Sequence, residues 1–466
     1  MKKIVLFLFL NFSVLCFSVS YITTAESLSW NGAYASVSEG FEAMLYNPAG
    51  IYMTPKKFGI NVFGSSSFRI YNNFLTTGDV FQAFRIATGS NNDISEFAKE
   101  KVKYLPDGNG FEVGFEISMF NFMFYKKIKN FSISGSMIPK TYLTGNISKS
   151  LFSAVFNKLD LSDPFNTKVS ATFLQYLDFN FSISTKARFL ERMLPFVREI
   201  YVGATGHVYI PTAFVNVVGN ISVSSGNPND MGLMLPRVKY NHKINYGGVA
   251  LSPLTALKST VPSQISSLFQ DDLGGFGLGF DMGFIVVFNN WLKGGFAIND
   301  LGFITFPNSV MIETSFDEDV MNVQNKFMNI FDKITPKREA FGWMPATSFR
   351  TGVLLTPVKN NYFELLIAGD IAVTDIQRAI NGDYATFNIA SGIEFAPKSK
   401  NNIFKMPVRI SFNYNTQSNN FAISHGLGLT LGPVEMEVAI RGFEILFTDW
   451  GTKEFCLAYD FKFQFD

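Results

Sequence analysis

Cysteine and histidine are nearly absent from this chain, and charge is scarce. Two cysteines and three histidines among 466 residues leave no disulfide framework and no Cys/His metal spacing. His207, His242 and His425 stand far apart in the sequence, with no His-Glu-x-x-His pattern. No nucleophile with an orienting base can be named either, so neither an enzyme, a metal nor a cofactor is expected. Charged residues make up 17%, below the ~25% usual in soluble domains. A net charge of +1 offers nucleic acid no basic surface. Beyond Ser20 no apolar run approaches the ~18 residues of a spanning helix.

Aromatic residues are abundant instead. The 52 Phe outnumber the 37 Gly, and hydrophobic residues reach 47%. So much apolar surface without a helical span leaves two architectures: strands that face lipid, or a large soluble β core.

The first residues indicate export. Met1-Lys2-Lys3 is basic, Ile4 to Phe17 is apolar except for Asn11 and Ser13, and Ser18 and Ser20 are small. This is the layout of a secretory signal peptide over residues 1–20, cleaved after Ser20, with cleavage after Ala25 the alternative. The apolar run is short of the ~20 residues an uncleaved anchor needs. Acylation at Cys16 would require a small preceding residue, and Leu15 is large. Removal of the peptide leaves Cys456 alone, which reads as a small packed side chain in a strand.

Period-two alternation runs through the rest. Phe455, Leu457, Tyr459, Phe461, Phe463 and Phe465 fall on one face of the last segment, and Cys456, Ala458, Asp460, Lys462 and Gln464 on the other. Such sets lie on opposite sides of a sheet. The same pattern recurs at Phe276–Phe284, Phe421–Leu431, Val408–Tyr414, Val434–Ile440 and Phe111–Met119. The second face is often Gly, Ser or Ala, which suits a packed lumen better than open water. The runs also exceed the 5–6 residues typical of strands in globular proteins and suit a tilted crossing of about 9–11 residues. The fold class expected is all-β, a transmembrane antiparallel β-barrel. Strand candidates and the even-number rule of bacterial barrels give about 14 strands, with 16 the alternative. Turn signals such as Asp107-Gly108-Asn109-Gly110 and Asn381-Gly382-Asp383 separate them. The glycines at 277, 279 and 283 sit inside one such strand, so alternation explains them better than a dinucleotide loop.

Three stretches have helical spacing, near 148–160, 259–272 and 317–334. The last opens with Asp317-Glu318-Asp319, acids that suit a helix start. It then places Val320, Val323, Phe327, Ile330, Phe331 and Ile334 on one side. These are expected to be loop or lumen inserts, either as packed loop structure or as a groove for an apolar ligand.

Residues 21–55 are distinct from the barrel pattern that fills 56–466. Trp30 to Ile51 is rich in Gly and Ala and ends in Asn47-Pro48-Ala49-Gly50 before the strand-like run from Phe58. This resembles the start of the long-chain fatty acid transporter family of outer-membrane barrels, the FadL-like proteins. In that family an Asn-Pro-Ala motif follows such a leader and precedes the first strand. The run Asn299-Asp300-Leu301-Gly302-Phe303-Ile304 also looks like one seen in relatives of this family. The resemblance implies a leader folded into the lumen as a hatch and a location in the cell outer membrane. It also implies insertion there by the barrel-assembly machinery. The function expected is a channel for uptake or export of fatty-acid-like or other apolar small molecules. The alternative is a structural, assembly or secretion-partner protein with a plugged barrel. None of the family's ligand-contact residues can be matched here.

Overall fold

The computed structural model describes residues 24–72, 110–150, 165–224, 237–248, 274–319, 336–374, 385–401, 403–416, 420–442 and 453–466, with a few single positions between them. The alternating segments form strands β1 Phe58–Asn72, β2 Phe111–Ile128, β3 Phe131–Ile147, β4 Phe165–Lys186, β5 Glu199–Ser224, β6 Arg237–Gly247 and β7 Phe276–Val287. They continue as β8 Leu292–Phe306, β9 Val310–Asp319, β10 Lys337–Arg338, β11 Phe341–Trp343, β12 Ser348–Lys359 and β13 Phe363–Thr374. The last are β14 Thr386–Pro397, β15 Phe404–Lys405, β16 Val408–Asn415, β17 Asn420–Leu431, β18 Val434–Arg441 and β19 Glu454–Phe465.

All are antiparallel neighbours in one sheet, and β19 pairs with β1, so the sheet closes. Several segments share one position in the wall. The upper half of β5 pairs with β6 and the lower half with β7. Likewise β9 pairs with β6 and β8 with β7. β10, β11 and β12 together line the next position, and β15 extends β16. Merging these pieces gives a 14-strand barrel, the smaller of the two expected counts.

The two ends differ. At one end lie the start of β1, the end of β19 and the tight connections β2–β3, β12–β13 and β17–β18. The longer connections are at the other end, the asymmetry usual for membrane barrels. Among the described residues no helix is long and apolar enough to cross a membrane; the strands supply the crossing.

The faces follow the alternation. On β19, Tyr459 is 47% exposed whereas Ala458 is 1% and Lys462 0% exposed. Phe276, Leu278, Phe280 and Met282 face outward on β7, and Ile410, Phe412 and Leu427 do so on β16 and β17. The large apolar residues thus belt the outside, and the small and charged ones line the lumen.

Two local features depart from simple alternation. Between β7 and β8 the register shifts at Phe280/Met282, so Asn299 and Asp300 both oppose Asp281, a β-bulge. Asp300 has φ of +58°, a conformation that Asp and Asn enter more readily than most residues. The extra residue turns both Asn299 and Asp300 into the lumen, where both are buried. The second departure is a correction: Asp317, Glu318 and Asp319, expected to open a helix, end strand β9. They pair with Lys239, Val238 and Arg237 of β6, and Arg237 forms an ion pair with Asp317 at 2.5 Å. Pairing with a basic strand outweighs the helix-start preference of the acids. The expected signal peptide (residues 1–20), residues 151–160, the stretch 259–272 and residues 320–334 lie outside the described residues.

Candidate functional site

The lower lumen is occupied by residues 24–53 of the chain itself. Helix α1 (Ala25–Ser29) is capped by Thr24, whose side chain accepts from Ser27 N. Helix α2 (Ala43–Tyr46) and a 3-10 turn (Pro48–Tyr52) complete the segment. Short polar and small residues permit this compact path, and buried wall carboxylates receive its free amides. Asp460 Oδ2 accepts from Ala25 N at 2.8 Å and Glu26 N at 3.3 Å. Asp370 Oδ2 accepts from Tyr34 N at 2.7 Å and Ala35 N at 2.6 Å. Ser411 Oγ donates to Ser29 O at 2.6 Å, and Asn413 Nδ2 to Asn31 O at 3.0 Å.

The motif at 47–50 lies at the centre of this contact. Asn47 Oδ1 accepts from Ala49 N at 3.2 Å and caps the 3-10 turn, with Pro48 in its first positions. Its Nδ2 donates to Ala35 O at 2.6 Å. Ser184 Oγ of β4 donates to Ala49 O at 2.8 Å. Beside these contacts the wall carries glycines where backbone meets backbone. A β-carbon on Gly203 would stand 2.3 Å from Pro48 C, and one on Gly295 would stand 2.2 Å from Ala35 O. Glycine is what allows two backbones so close. Gly50 is equally constrained, since its β-carbon would meet Ser38 O at 1.9 Å.

Charge reinforces the packing. Lys462 is fully buried beside Glu42 of the segment, with Asp460 at 3.4 Å, Glu435 at 3.5 Å and Glu26 at 3.8 Å. Arg409 pairs with Glu394 at 2.6 Å and Glu437 at 2.9 Å, and its Nη1 donates to Ser29 Oγ at 3.3 Å. Glu26, Glu435 and Glu437 bring carboxylate oxygens within 4.8 Å of one another. Lys462 and Arg409 already stand among them as counter-charges, so this is an ion-pair network.

A second cluster lies farther along the wall, toward the long connections. His207 of β5 stands between Asp178 of β4 and Asp281 of β7, with a carboxylate oxygen 3.0 Å from each ring nitrogen. Nδ1 is hydrogen-bonded to Asp178 Oδ1, and Nε2 faces the Asp281 carboxylate. Lys140 Nζ reaches Asp178 at 2.7 Å, and Asp300 N donates to Asp281 Oδ1 at 2.6 Å. The bulge therefore delivers the Asn299-Asp300 pair to this cluster. It is a brace across five strands, β3, β4, β5, β7 and β8.

Beside it the lumen becomes aromatic. Tyr142 and Tyr176 stack with centroids 5.8 Å apart, and Tyr209 meets Tyr176 edge-on at 5.5 Å. Trp343 lies 6.2 Å from Tyr176, and Phe214 stacks on Phe341 at 4.1 Å. Tyr142, Tyr176, Tyr209 and Phe214 are buried against one another, and Phe341 and Trp343 are the partly exposed rings of the cluster, the ones that could meet an apolar or aromatic molecule.

The structure thus brings Asn47, Pro48, Ala49 and Gly50 together inside the barrel. The groove residues Val320, Val323, Phe327, Ile330, Phe331 and Ile334 lie outside the described residues. Sequence reasoning did not find Asp178, His207, Asp281 or the aromatic cluster. Each is an ordinary inward position on its own strand, and only the register joins them.

None of the curated proteins matches the chain by sequence. Among solved structures, a deltaS2S3 mutant of the monoaromatic hydrocarbon channel TodX has a TM-score of 0.51 at 11% identity, covering 95% of this chain and 99% of that one. The Ralstonia pickettii toluene transporter TbuX gives 0.47 at 11% identity, over 98% and 100% of the two chains. A Pseudomonas aeruginosa FadL homologue gives 0.47 at 10% identity, over 96% and 99%. The resemblance read from the N-terminal motif therefore holds for the fold, which is the FadL-like barrel. Residues 48–353, more than half of the chain, match the model described as a family of unknown function, DUF5723, and to that family this FadL-like barrel belongs.

Proposed function

We propose that the protein is a channel of the cell outer membrane that passes apolar small molecules, with residues 21–55 as a hatch in its lumen and no enzymatic activity. The observation that carries this reading is the stacked aromatic wall of Tyr142, Tyr176, Tyr209 and Trp343 beside a lumen filled by the N-terminal segment. An apolar solute gains from leaving water for such a surface, while a filled lumen holds back small polar solutes. The shared fold of a channel described as one for monoaromatic hydrocarbons supports the same class of cargo. The partners are the lipid bilayer, the assembly machinery that inserts the barrel, and a fatty-acid-like or aromatic ligand.

Uptake of a labelled alkylbenzene and a labelled long-chain fatty acid is to be compared in cells with the gene deleted and restored. Deletion should lower the uptake of one or both, and restoration should recover it. Unchanged uptake across a series of apolar compounds would favour the second reading, a plugged barrel that serves as an assembly or secretion partner. The dense ion pairing of Lys462 and Arg409 with the N-terminal segment is what speaks for that alternative.

A further inference from the structure

The connection between β4 and β5, residues 187–198, is unlike its neighbours at the same end of the barrel. The β2–β3, β12–β13 and β17–β18 connections are tight, but this one forms helix α3 (Arg188–Met193) and folds back. It folds onto the outside of the wall. On β5, Gly203 faces the lumen against Pro48, so Ile200 and Val202 face outward. Ile200 is nonetheless fully buried, packed with Ala187 and Val197, and Leu190, Phe284, Val286 and Phe288 lie against them. Glu191 Oε1 accepts from Ile200 N at 3.0 Å, which ties the helix to the strand. Arg198 donates to Asn290 of the adjacent β7–β8 connection.

The face of α3 turned away from the barrel is not polar. Phe189 is 67%, Met193 72% and Phe196 68% exposed. Phe181 and Ile183, outward on the last turns of β4, are also exposed and lead directly to this patch. Trp291 in the neighbouring connection is exposed as well, as expected of the aromatic girdle at a membrane interface. Arg188 and Arg192, one helical turn apart, are exposed, and among the described residues neither has an acidic partner. Glu191, the acid nearest them in sequence, is engaged on the wall side.

We propose that α3 and the segment to Phe196 form an interfacial foot that lies in the bilayer leaflet at the short-connection end and binds anionic phospholipid. Phe189, Met193 and Phe196 enter the acyl boundary, and Arg188 and Arg192 meet headgroup phosphates. An amphipathic helix with apolar and Arg-bearing faces lies in this way in an interface. Continuity with the apolar belt of the barrel and the charge of the two arginines select lipid as the occupant over a protein.

The test uses the full barrel in vesicles of phosphatidylcholine with and without phosphatidylglycerol. In a Cys456→Ala background, single cysteines replace Phe189, Met193 or Phe196 and carry an environment-sensitive fluorophore. Ile183→Cys serves as the control for the barrel wall. All four labels should report an apolar setting and be quenched by lipids with a quencher near the headgroup or upper chain. A lipid signal at 183 with water-exposed labels at 189, 193 and 196 would overturn the foot and leave the face to a soluble partner. A water signal at 183 would overturn it together with the membrane barrel. With spin-labelled phosphatidylglycerol, Arg188→Gln/Arg192→Gln should cut the preference for the anionic lipid by about thirtyfold, about fivefold for each of the two charges at the membrane surface. An unchanged preference would overturn the headgroup site.

Discussion

Asn47 fills the space that a side chain at Gly283 would need: a β-carbon there would stand 2.0 Å from Asn47 Oδ1. The wall strand and the N-terminal motif are therefore matched in shape, and neither can change alone. Gly283→Val should push the motif off the wall at a cost of about 1–3 kcal/mol, the range for overpacking. Its thermal midpoint should fall while the outer belt, and hence membrane insertion, is retained. A midpoint equal to the parent's would mean that the motif does not rest on Gly283.

Removal of the segment tests its role as a plug. No wall strand lies within residues 26–49, so a chain lacking them should still insert as a barrel. Its conductance to small ions in planar bilayers should rise above that of the parent. A variant that inserts fully and conducts no more than the parent would show that these residues are not the barrier.

Lys462 is buried against Glu42 and Asp460 together. Lys462→Met should destabilise the barrel by about 3–5 kcal/mol, because it strands buried carboxylates without their counter-charge. Adding Glu42→Gln should restore part of the loss. If heat-modifiable gel mobility gives the same midpoint for the single and double variants, the two residues are not coupled.

The outward face of β19 should follow the cost of charge in lipid. Leu457→Arg should lose about 2–4 kcal/mol near the bilayer midplane, whereas Leu457→Phe should be nearly neutral. Urea midpoints in lipid vesicles decide it, and equal midpoints would remove Leu457 from the lipid face. Ala458 is a poor inward control because it packs against α1 beside Leu28 and Ala439.

The aromatic wall should govern affinity for cargo. Trp343→Ala should weaken uptake of an aromatic solute at low concentration by about two- to tenfold, the worth of an aromatic contact. Uptake that falls equally for apolar and polar solutes would point to a damaged barrel instead of a lost contact.

Much of this architecture follows from side-chain order alone. A strand presents alternate residues to opposite sides, so Leu457, Tyr459 and Phe461 had to share one face and Ala458, Asp460 and Lys462 the other. The long runs and the scarcity of charge placed that apolar face against lipid. Asn47-Pro48-Ala49-Gly50 stood out because a turn rich in small residues precedes the first alternating run. Only the tertiary structure decided what depends on register between strands. Asp178, His207 and Asp281 lie on three strands far apart in sequence, and nothing in any one strand predicts which partner stands opposite. The bulge that turns both Asn299 and Asp300 inward breaks period two, so alternation would have sent one of them outward. Residues 317–319 read locally as a helix start, but a basic neighbour in β6 kept them in the sheet. The outward fold of α3 depends on Ile200 and Phe284 forming one surface, and that surface exists only once β5 has paired with β7.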